Sequence, residues 1–526
     1  MPALYALALA LVVTAPLLAP GYLLLRDAVS TPRSYLSDAA LGLTQAAPRA
    51  LPQDFAIALA SQVLDGGVLV KLLLILGLWL AGWGAARLVA HVLPDSGLGG
   101  QLVAATLAIW NPYVAERLLQ GHWSLLVGYG CLPWVATAML ARRHWQLVFW
   151  VALAGLTPTG LVLAAIVALV CCRTWRDIGV TAAAAVASAL PWLAAATVAD
   201  SLSSTAGAGV TAFAARAEPG LGTLGSLAGL GGIWNAQAVP DSRTTLFALV
   251  ATAVLLAVVA VGLPVALRHR EARPLLVLAA VAVLVPAVLA TGPGLAALDW
   301  LTRSVPGLGL LRDGQKWVAL ALPGYVLAAA GVARLGRAVT VVCCVALIAV
   351  LPDLAFGVAG KVRPVQYPAG WAAVAAIIDA DPRPVAVLPP DSMRQFSWAG
   401  PAPVLDPLPR WVSAEVLSSG DLVIGGQTVP GEGARGRAAT RLLLDGASRD
   451  ELAAAGVGWV VVEAGAAPLD LPLTYRDADI ALYDVGGSAP TAAGRPLLIG
   501  AHLVWLLTLA GAGVVAAFGC RFRPRR

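Results

Sequence analysis

The side chains that could carry chemistry in this chain lie in or directly beside four segments between apolar runs: 26–67, 111–122, 200–243 and 292–315. A carboxylate can take a proton from an attacking hydroxyl group, and guanidinium and ammonium groups can bind a phosphate. The acids and bases that we single out, with one aromatic neighbour, are Arg26, Asp27, Asp38, Asp54, Glu116, Arg117, His122, Trp123, Arg312, Asp313 and Lys316.

Each of these groups also has a simpler structural explanation. Charged residues that follow an apolar segment can mark the headgroup layer, and a Trp beside a His can anchor a helix at that depth. An adjacent acid and base can form a surface ion pair, and basic residues can bind lipid phosphates. Arg26 with Asp27 fits the headgroup layer, and His122 with Trp123 fits the helix anchor. Glu116 with Arg117 fits the surface ion pair, and Arg312 with Lys316 fits lipid binding.

The composition indicates a membrane protein that crosses the bilayer several times. The chain has 526 residues, of which 59% are hydrophobic and 12% charged, whereas soluble proteins carry about 25% charged residues. Runs such as 3–25 and 244–267 are long enough to cross a bilayer. The net charge of +6 does not indicate nucleic-acid binding, because much of the basic excess lies in short loops between apolar runs. We therefore expect membrane lipids, and no nucleic acid, as partners.

About twelve passes are predicted from the apolar runs. The candidate spans are 3–25, 68–93, 101–115, 123–141, 145–156, 160–172, 178–199, 244–267, 274–291, 316–333, 338–357 and 496–520. The sequence "TPTG" separates the two short spans 145–156 and 160–172, which form either a hairpin or one long tilted helix across 144–172. Basic residues flank both ends of this region, which favours the hairpin, since both ends then face the cytoplasm.

The short basic loops predict the orientation of the chain. They include Arg142 with Arg143, Arg334 with Arg337, and the tail 521–526. By the positive-inside rule they face the cytoplasm, so both termini are expected there, in the plasma (inner) membrane. The long segments, including 358–495, then lie outside.

Residues 358–495 are predicted to form a small extracytoplasmic α/β domain. The run 370–380 has helical apolar spacing, and 384–390 and 458–463 are β-branched runs bounded by Gly and Pro, as buried strands are. Ser448 and Glu451 form a capping box at the start of a second helix. Residues 1–357 form the multi-pass core, and 496–526 the last span with its basic tail.

The predicted spans hold few ionisable residues, and those few lie near span ends. They are Lys71, Arg87, His91, Asp353 and His502, with Lys316 as the first residue of the span 316–333. Ionisable groups deep in a membrane usually mark a transport pathway. Their scarcity counts against a proton-coupled carrier and directs attention to the outer membrane–water interface.

The order of several motifs resembles a known group of proteins. "RDAVSTPRSYLSDAALGLTQAAPRALPQD", "WNPYVAERLLQGHWSLLVGYGCLPW", "GLGLLRDGQKW", "VLPPDSMRQFSW" and "LAAAGVGWVVVE" resemble those of actinobacterial polytopic membrane proteins. That group is similar to the branching arabinofuranosyltransferases and to YfhO-type proteins, with a GT-C-like core. The resemblance implies a multi-pass helical core, an acid close to the first span, and a sugar donor on a polyprenyl phosphate.

The resemblance assigns roles to the singled-out residues. It implies that Asp27 is the acid that acts as base or positions the acceptor, and that Arg312 and Lys316, with Arg117 behind them, bind the donor phosphate. Our own hypothesis makes Asp27 the base, with Asp38 or Asp54 as alternatives, and adds Arg26 to the phosphate ligands. We expect Glu116, His122, Trp123 and Asp313 to shape the sugar or acceptor pocket.

The expected function is that of a glycosyltransferase acting on a cell-envelope glycan or glycolipid. The alternative is a non-catalytic protein that assists translocation or assembly of envelope lipid or polysaccharide. The several carboxylates leave a divalent cation open as a cofactor, although no ligand spacing indicates one.

Overall fold

The computed structural model describes residues 1–45, 49–198, 209–305, 307–424, 426–463, 469–488 and 493–518. Within these residues, six helices are long and apolar enough to cross a membrane: Gly66–Val92, Trp123–Leu140, Trp175–Val198, Phe247–Leu267, Gly314–Leu335 and Arg495–Phe518. Two bent pairs raise the number to eight at most: Arg273–Leu289 with Gly292–Ser304 (92°), and Arg337–Ala349 with Pro352–Gly360 (70°). The chain is therefore a helical membrane protein by helix length and composition, but the predicted twelve passes are not confirmed.

Shorter helices complete the helical part. They are Pro2–Thr14, Asp38–Leu41, Gln53–Ala60, Gly97–Ile109, Pro112–Gln120, His144–Ala154, Pro158–Cys171 and Gly222–Ala228. The predicted first span 3–25 is shorter than expected. Its α-helix ends at Thr14, a 3₁₀ turn follows to Leu18, and Tyr22–Leu25 is a β-strand. Pro16, Pro20 and Gly21 explain the break, because proline and a glycine with φ of +119° do not continue a helix.

The region 144–172 forms two helices rather than one. Thr157 caps the second helix by accepting a hydrogen bond from the Gly160 amide (3.0 Å), and Pro158 occupies its first turn. The start of the first helix contacts the beginning of the helix that follows the pair, since His144 Nε2 lies 2.8 Å from Asp177 Oδ1 in Trp175–Val198. The pair is the hairpin that the flanking charges favoured.

Short charged loops lie together at one end of the helical bundle. Glu271 contacts both Arg173 (2.7 Å) and His91 (3.9 Å), and Arg334 pairs with Asp95 at 3.2 Å. Among the basic residues that flank the apolar runs, Arg173 and Arg334 therefore lie at the same end of the bundle. The tail 521–526 and residues 199–208 of the predicted third segment lie outside the described residues.

The helix Trp123–Leu140 occupies the centre of the bundle, with 89% of its apolar window buried, whereas Arg495–Phe518 is peripheral at 28%. A central helix is buried by other helices on all sides, so its ends are fixed relative to the rest of the molecule. The residues just before Trp123 therefore have a rigid support.

The segment before the last helix folds as an α/β unit, as expected. Its five-stranded sheet has the spatial order Leu473–Arg476, Ile480–Asp484, Trp459–Glu463, Val385–Leu388 and Val416–Leu417. The last three strands are parallel and the other two pairings are antiparallel. Two-stranded pairs are formed by Met393–Arg394 with Val404–Leu405 and by Leu422–Ile424 with Gln427–Val429.

Helices cover both faces of this sheet. Ala369–Ala380 packs on one face through Trp371, Val374 and Ile378, while Ala434–Leu444 and Arg449–Ala454 pack on the other. The predicted capping box of Ser448 and Glu451 is present at the start of the last of these helices. The short helix Leu408–Trp411 contributes Leu408 and Trp411 to the first face.

The α/β unit is joined to the first apolar segment by backbone pairing. Strand Tyr22–Leu25 pairs with Ala28–Val29 on one side and with Pro364–Val365 on the other. The turn between the two N-terminal strands contains Arg26 and Asp27, so these residues lie where the helical bundle meets the α/β unit.

Candidate functional site

A cavity of about 1380 Å³ lies between the helical bundle and the α/β unit. Its walls come from the N-terminal turn, the start of Trp123–Leu140, the segments 234–237 and 307–316, and several loops of the α/β unit. Ligand pockets usually measure about 300–1000 Å³, so this cavity has room for an extended ligand or for two ligands side by side.

Asp27 presents one carboxylate oxygen to this cavity. Its Oδ2 accepts hydrogen bonds from His122 Nε2 and Gln120 Nε2, both at 2.9 Å. Its Oδ1 has no hydrogen-bond partner among the described residues, and the side chain is 40% exposed on the cavity wall. The carboxylate is thus held at one oxygen and open at the other.

A glycine allows the elements that hold Asp27 to approach each other. Gly121 ends the helix Pro112–Gln120 with φ of +84°. A Cβ atom there would lie 2.3 Å from the Ala28 amide nitrogen and 2.4 Å from the Leu25 carbonyl oxygen. Because no larger residue fits, the helix end lies directly against the N-terminal turn, and the Asp27 amide donates to the Gln120 carbonyl at 3.1 Å.

Arg117 fixes the tautomer of His122. Its Nη1 lies 3.1 Å from His122 Nδ1. A guanidinium group can only donate hydrogen bonds, so Nδ1 must accept and the ring proton resides on Nε2. His122 Nε2 therefore donates to Asp27, and the contact is a hydrogen bond from a neutral ring to a carboxylate.

The pKa shifts agree with this protonation pattern. Burial raises the pKa of Asp27, but the hydrogen bonds from His122 and Gln120 and the charge of Lys316 together outweigh burial and leave the pKa below its usual value. Burial lowers the pKa of His122, and Asp27 opposes that effect only in part. At neutral pH, Asp27 is a carboxylate beside an uncharged imidazole.

Arg117 and Asp313 do not have the direct roles predicted for them. The Arg117 side chain is completely buried and makes a bidentate pair with Asp313, at 2.8 and 3.1 Å, and a further hydrogen bond to Gln315 Oε1. Asp313 borders the cavity, but both its oxygens bind Arg117. These two residues therefore hold His122 in place and are not available to a phosphate or a sugar.

Glu116 is likewise buried behind the cavity wall, not exposed in a surface ion pair or a sugar pocket. It accepts hydrogen bonds from the Gly232 and Ile233 amides, both at 3.1 Å, and from Gln315 Nε2 at 3.0 Å. Burial, followed by the nearby Glu218, raises the pKa of Glu116 to about 8. Its contacts anchor the segment that continues into 234–237.

Lys316 and Arg312 border the cavity, as their predicted phosphate-binding role requires. Lys316 Nζ lies 3.8 Å from Asp313 Oδ2, beyond hydrogen-bond distance. The Arg312 guanidinium lies over the Phe213 ring at 5.2 Å. Burial lowers the pKa of Arg312, and the neighbouring Arg49 lowers it further.

Arg49 is a third cation of this cluster that the sequence did not single out. It pairs with Glu432 of the α/β unit at 2.9 Å and borders the same cavity. Like charges gathered on one wall repel each other, and an anion placed among them is favoured. This wall is suited to a phosphate.

Arg26 has a structural role, not the phosphate-binding one predicted for it. Its guanidinium donates to the carbonyl oxygens of Leu119 (2.6 Å) and Gln237 (2.7 Å), and the residue is 94% buried (6% exposed). Its φ of +50° is unusual for a residue with a side chain. Arg26 thereby joins the N-terminal turn to two other walls of the cavity.

The two alternative acids differ in position. Asp54 borders the cavity and pairs with Arg410 at 3.2 Å. Asp38, predicted as an alternative base, does not border the cavity, and its Oδ1 lies 3.5 Å from Arg495 Nε at the start of the last helix. Trp123 is buried and forms part of the wall beside His122, instead of anchoring a helix at a membrane surface.

Besides Arg49, sequence reasoning missed Gln120 and Asn235. Gln120 donates to Asp27, and Asn235 Nδ2 donates to Gln120 Oε1 at 2.8 Å, which turns the Gln120 amide nitrogen towards Asp27. Gln120 lies between Arg117 and His122 in a motif already noted, and that position was the only signal for it. Asn235 lies in the segment 200–243, where its side chain caps the 3₁₀ turn Ala236–Ala238.

No group of three or more His, Cys, Asp or Glu side chains in the described part of the chain is placed to hold a metal ion. Comparison of the chain with protein-family models, with curated proteins and with solved structures gives no match.

Proposed function

We propose that this protein is a glycosyltransferase with a GT-C-like membrane core, resembling the branching arabinofuranosyltransferases. It moves a sugar from a polyprenyl-phosphate donor to an envelope glycan or glycolipid at the outer face of the plasma membrane. The observation that carries the proposal is the open Oδ1 of Asp27 in the same cavity as Lys316 and Arg312. A base and a phosphate-binding wall that border one cavity can act on one sugar.

In the proposed reaction, Asp27 is the general base. An acceptor hydroxyl oxygen attacks the anomeric carbon of the donor sugar, and its proton passes to Asp27 Oδ1. The new bond joins the acceptor oxygen to the anomeric carbon. The bond between that carbon and the phosphate oxygen breaks, and the lipid phosphate leaves with the electron pair. General-base catalysis of this kind contributes about 10²–10⁴-fold in rate.

The leaving phosphate gains negative charge, and the cations of the cavity wall are placed to stabilise it. Lys316 and Arg312 border the cavity at the end of the bundle where the predicted span Gly314–Leu335 begins. A lipid-linked phosphate lies at this depth, because its chain stays in the bilayer. Charge-assisted hydrogen bonds from these side chains are about twice as strong as neutral ones.

His122 and Gln120 are positioning residues in this proposal. Both bind Asp27 Oδ2, so they hold the carboxylate without blocking Oδ1. Arg117 keeps the His122 proton on Nε2. The arrangement supports an ionised base with a fixed direction towards the acceptor.

The proposed orientation places both termini in the cytoplasm and the α/β unit outside. It is supported by the ion-paired basic loops at one end of the bundle, including Arg173 and Arg334. The cavity wall at Thr157–Pro158 lies at the other end of the hairpin from these loops. The positive-inside rule assigns the basic end to the cytoplasm.

The proposal is tested by comparing envelope glycans in a strain from which the gene is deleted. The strain is complemented with wild type, Asp27→Asn, or Asp241→Asn. Asp241 is 71% exposed, pairs with Lys361 and does not border the cavity, so it serves as a matched control. We expect wild type and Asp241→Asn to restore the glycan profile and Asp27→Asn, at equal membrane abundance, to fail.

Full restoration by Asp27→Asn would remove Asp27 as the base. It would fit instead the alternative of a non-catalytic protein that assists translocation or assembly of envelope material, since such a protein needs no base at this position.

A further inference from the structure

The α/β unit directs the carboxyl ends of its parallel strands towards the cavity. Ser392 follows the strand Val385–Leu388, Ser418 follows Val416–Leu417, and both border the cavity. In open α/β sheets, ligands bind in the crevice outside the carboxyl ends of the strands. This edge is therefore the side of the sheet where a ligand site is expected.

The strand order places a topological switch point at this edge. Val385–Leu388 is central, Val416–Leu417 follows it on one side, and the chain then crosses to Trp459–Glu463 on the other side. The crevice where the strand order reverses lies between the ends of the first and third of these strands, beside Leu388 and Glu463.

A buried polar cluster occupies this crevice. Arg394 Nε binds Glu463 Oε2 at 2.9 Å, and Arg394 Nη2 binds Asp406 Oδ2 at 3.3 Å. Arg394 and Glu463 side chains are 3% and 0% exposed, and Ser392 is 8% exposed. Burying polar groups in this way costs free energy unless each one is hydrogen-bonded.

Two donors of the cluster, Arg394 Nη1 and Ser392 Oγ, lack a hydrogen-bond partner among the described residues. The Glu463 carboxyl group shares a hydrogen bond with Asp406, and burial, followed by Asp406, raises the pKa of Glu463 well above its usual value. Buried polar atoms are nearly always paired, so unsatisfied groups beside one cavity indicate a place that a ligand would fill. Ser392 and Asp406 border the cavity, whereas Arg394 and Glu463 lie behind them.

The charge of the cluster selects the class of ligand. Arg394 already contacts the two carboxyl groups of Asp406 and Glu463. The Asp406 carboxylate borders the cavity and would repel a further anion. Sugar hydroxyls both donate and accept hydrogen bonds, so they match the Ser392 hydroxyl and the Asp406 carboxylate. A neutral polyhydroxylated ligand fits best.

This crevice is connected to Asp27 by the backbone. The Arg26 amide donates to the Pro403 carbonyl at 2.9 Å, and the Leu405 amide donates to the Arg26 carbonyl at 2.8 Å. Asp27 and Asp406 each directly follow a residue of this pairing, and both border the cavity. A ligand in the crevice therefore lies next to the proposed base.

We infer that the carboxyl edge of the α/β sheet, at Ser392, Arg394, Asp406 and Glu463, binds a saccharide that is the acceptor of the transfer. The role as acceptor rests on the proposed function, whereas saccharide binding does not depend on turnover. The site and the base can therefore be tested separately.

The test measures saccharide binding to the full-length protein in lipid nanodiscs by saturation-transfer NMR and calorimetry. The probes are the methyl glycosides of glucose, galactose, mannose and arabinose, with inorganic phosphate as an anionic probe. The variants are Ser392→Ala and Glu463→Gln. The matched control is Ser188→Ala, because Ser188 is also buried with an unpartnered hydroxyl but lies in the helix Trp175–Val198.

We expect wild type to bind at least one glycoside, and Ser392→Ala to bind it about threefold to tenfold more weakly, as loss of one hydrogen bond predicts. Glu463→Gln should bind like wild type, because an amide can still accept from Arg394 and donate to Asp406. Ser188→Ala should also bind like wild type. Ser392→Ala should unfold at the same temperature as wild type, since it removes a hydroxyl with no partner.

Absence of binding to all four glycosides would overturn the inference, as would equal binding by wild type and Ser392→Ala. Binding of phosphate with the same dependence on Ser392 would also overturn it. Loss of glycan restoration in Asp27→Asn, together with Ser392-dependent saccharide binding, supports both the base and the site. Restoration by Asp27→Asn together with Ser392-dependent binding removes the base and keeps the site.

Discussion

His122 Nε2 donates a 2.9 Å hydrogen bond to Asp27 Oδ2. This contact joins the turn after the first apolar segment to the start of the central helix Trp123–Leu140. Arg117 sets the direction of this hydrogen bond, because it can only donate to the other ring nitrogen, Nδ1. The contact fixes which oxygen of Asp27 faces the cavity and keeps that acid ionised.

Replacing His122 should change the pH dependence of the proposed reaction. In His122→Phe the burial of Asp27 is no longer opposed by the ring, so the Asp27 pKa rises and the acidic limb of the rate–pH profile moves to higher pH. In His122→Gln an amide can still donate, and the shift should be smaller. Transfer rates of the purified variants against pH check this. An acidic limb that stays in place in His122→Phe would contradict the role assigned to His122.

Asp313→Asn should destabilise the protein at neutral pH. It should also make the free energy of unfolding depend less on pH in the acidic range. The charge of Arg117 lowers the pKa of Asp313 to about 2 from its usual 3.8, despite burial, which raises it. The pair therefore contributes stability above pH 3.8 that is lost as pH falls towards 2, worth about 2 kcal/mol by linkage. Removing the charge also leaves Arg117 partly unpaired and costs about 3–5 kcal/mol.

Thermal unfolding in detergent between pH 2 and pH 7 measures both effects of Asp313→Asn. Asp241→Asn is the control, because its exposed pair with Lys361 should change little. Equal pH dependence of wild type and Asp313→Asn would show that Asp313 does not contribute the acid-sensitive stability.

Substitutions at Arg26 should depend on backbone conformation as well as on the side chain. Arg26→Ala and Arg26→Gly both lose the hydrogen bonds to Leu119 and Gln237. Only glycine relieves the strain of φ at +50°, so Arg26→Gly should be the more stable variant by about 1 kcal/mol. The free energies of unfolding of the two variants check this.

The reverse order is expected at Arg441, which lies in the helix Ala434–Leu444. There Arg441→Ala should exceed Arg441→Gly in stability by about 1 kcal/mol, because glycine disfavours helices. If Arg26→Ala also has a higher free energy of unfolding than Arg26→Gly, residue 26 does not adopt the left-handed conformation.

Lys316→Met and Arg312→Met should weaken binding of a lipid phosphate. Hydrogen bonds to charged groups contribute about 1.5–3 kcal/mol, so each variant should bind decaprenyl phosphate in nanodiscs about tenfold or more weakly. Lys361→Met is the control, since Lys361 pairs with Asp241 away from the cavity. Unchanged affinity in both cavity variants would remove this wall as the phosphate site. The affinity should also fall with added salt.

The sequence by itself determined the class of protein and much of its local structure. Some structural signals depend only on residues that are neighbours in the sequence, so the helices and turns they specify could be predicted. They are the long apolar runs, the "TPTG" break and the capping box at Ser448. Asp27, His122, Arg312 and Lys316 were singled out because charge after or between apolar runs is visible in the sequence.

Only the tertiary structure decided which charged residues face the cavity. Glu116 and Arg117 are next to each other in an apparently polar segment, but packing buries both, and their partners Ile233 and Asp313 are remote in the chain. Hydropathy alone predicts that Tyr22–Leu25 ends a span, but the structure has a strand there. Its apolar side chains suit a membrane span and a buried strand equally well. Hydropathy reports the preference of a segment for water or lipid, whereas the orientation of each side chain depends on contacts between distant segments, which form only when the chain folds.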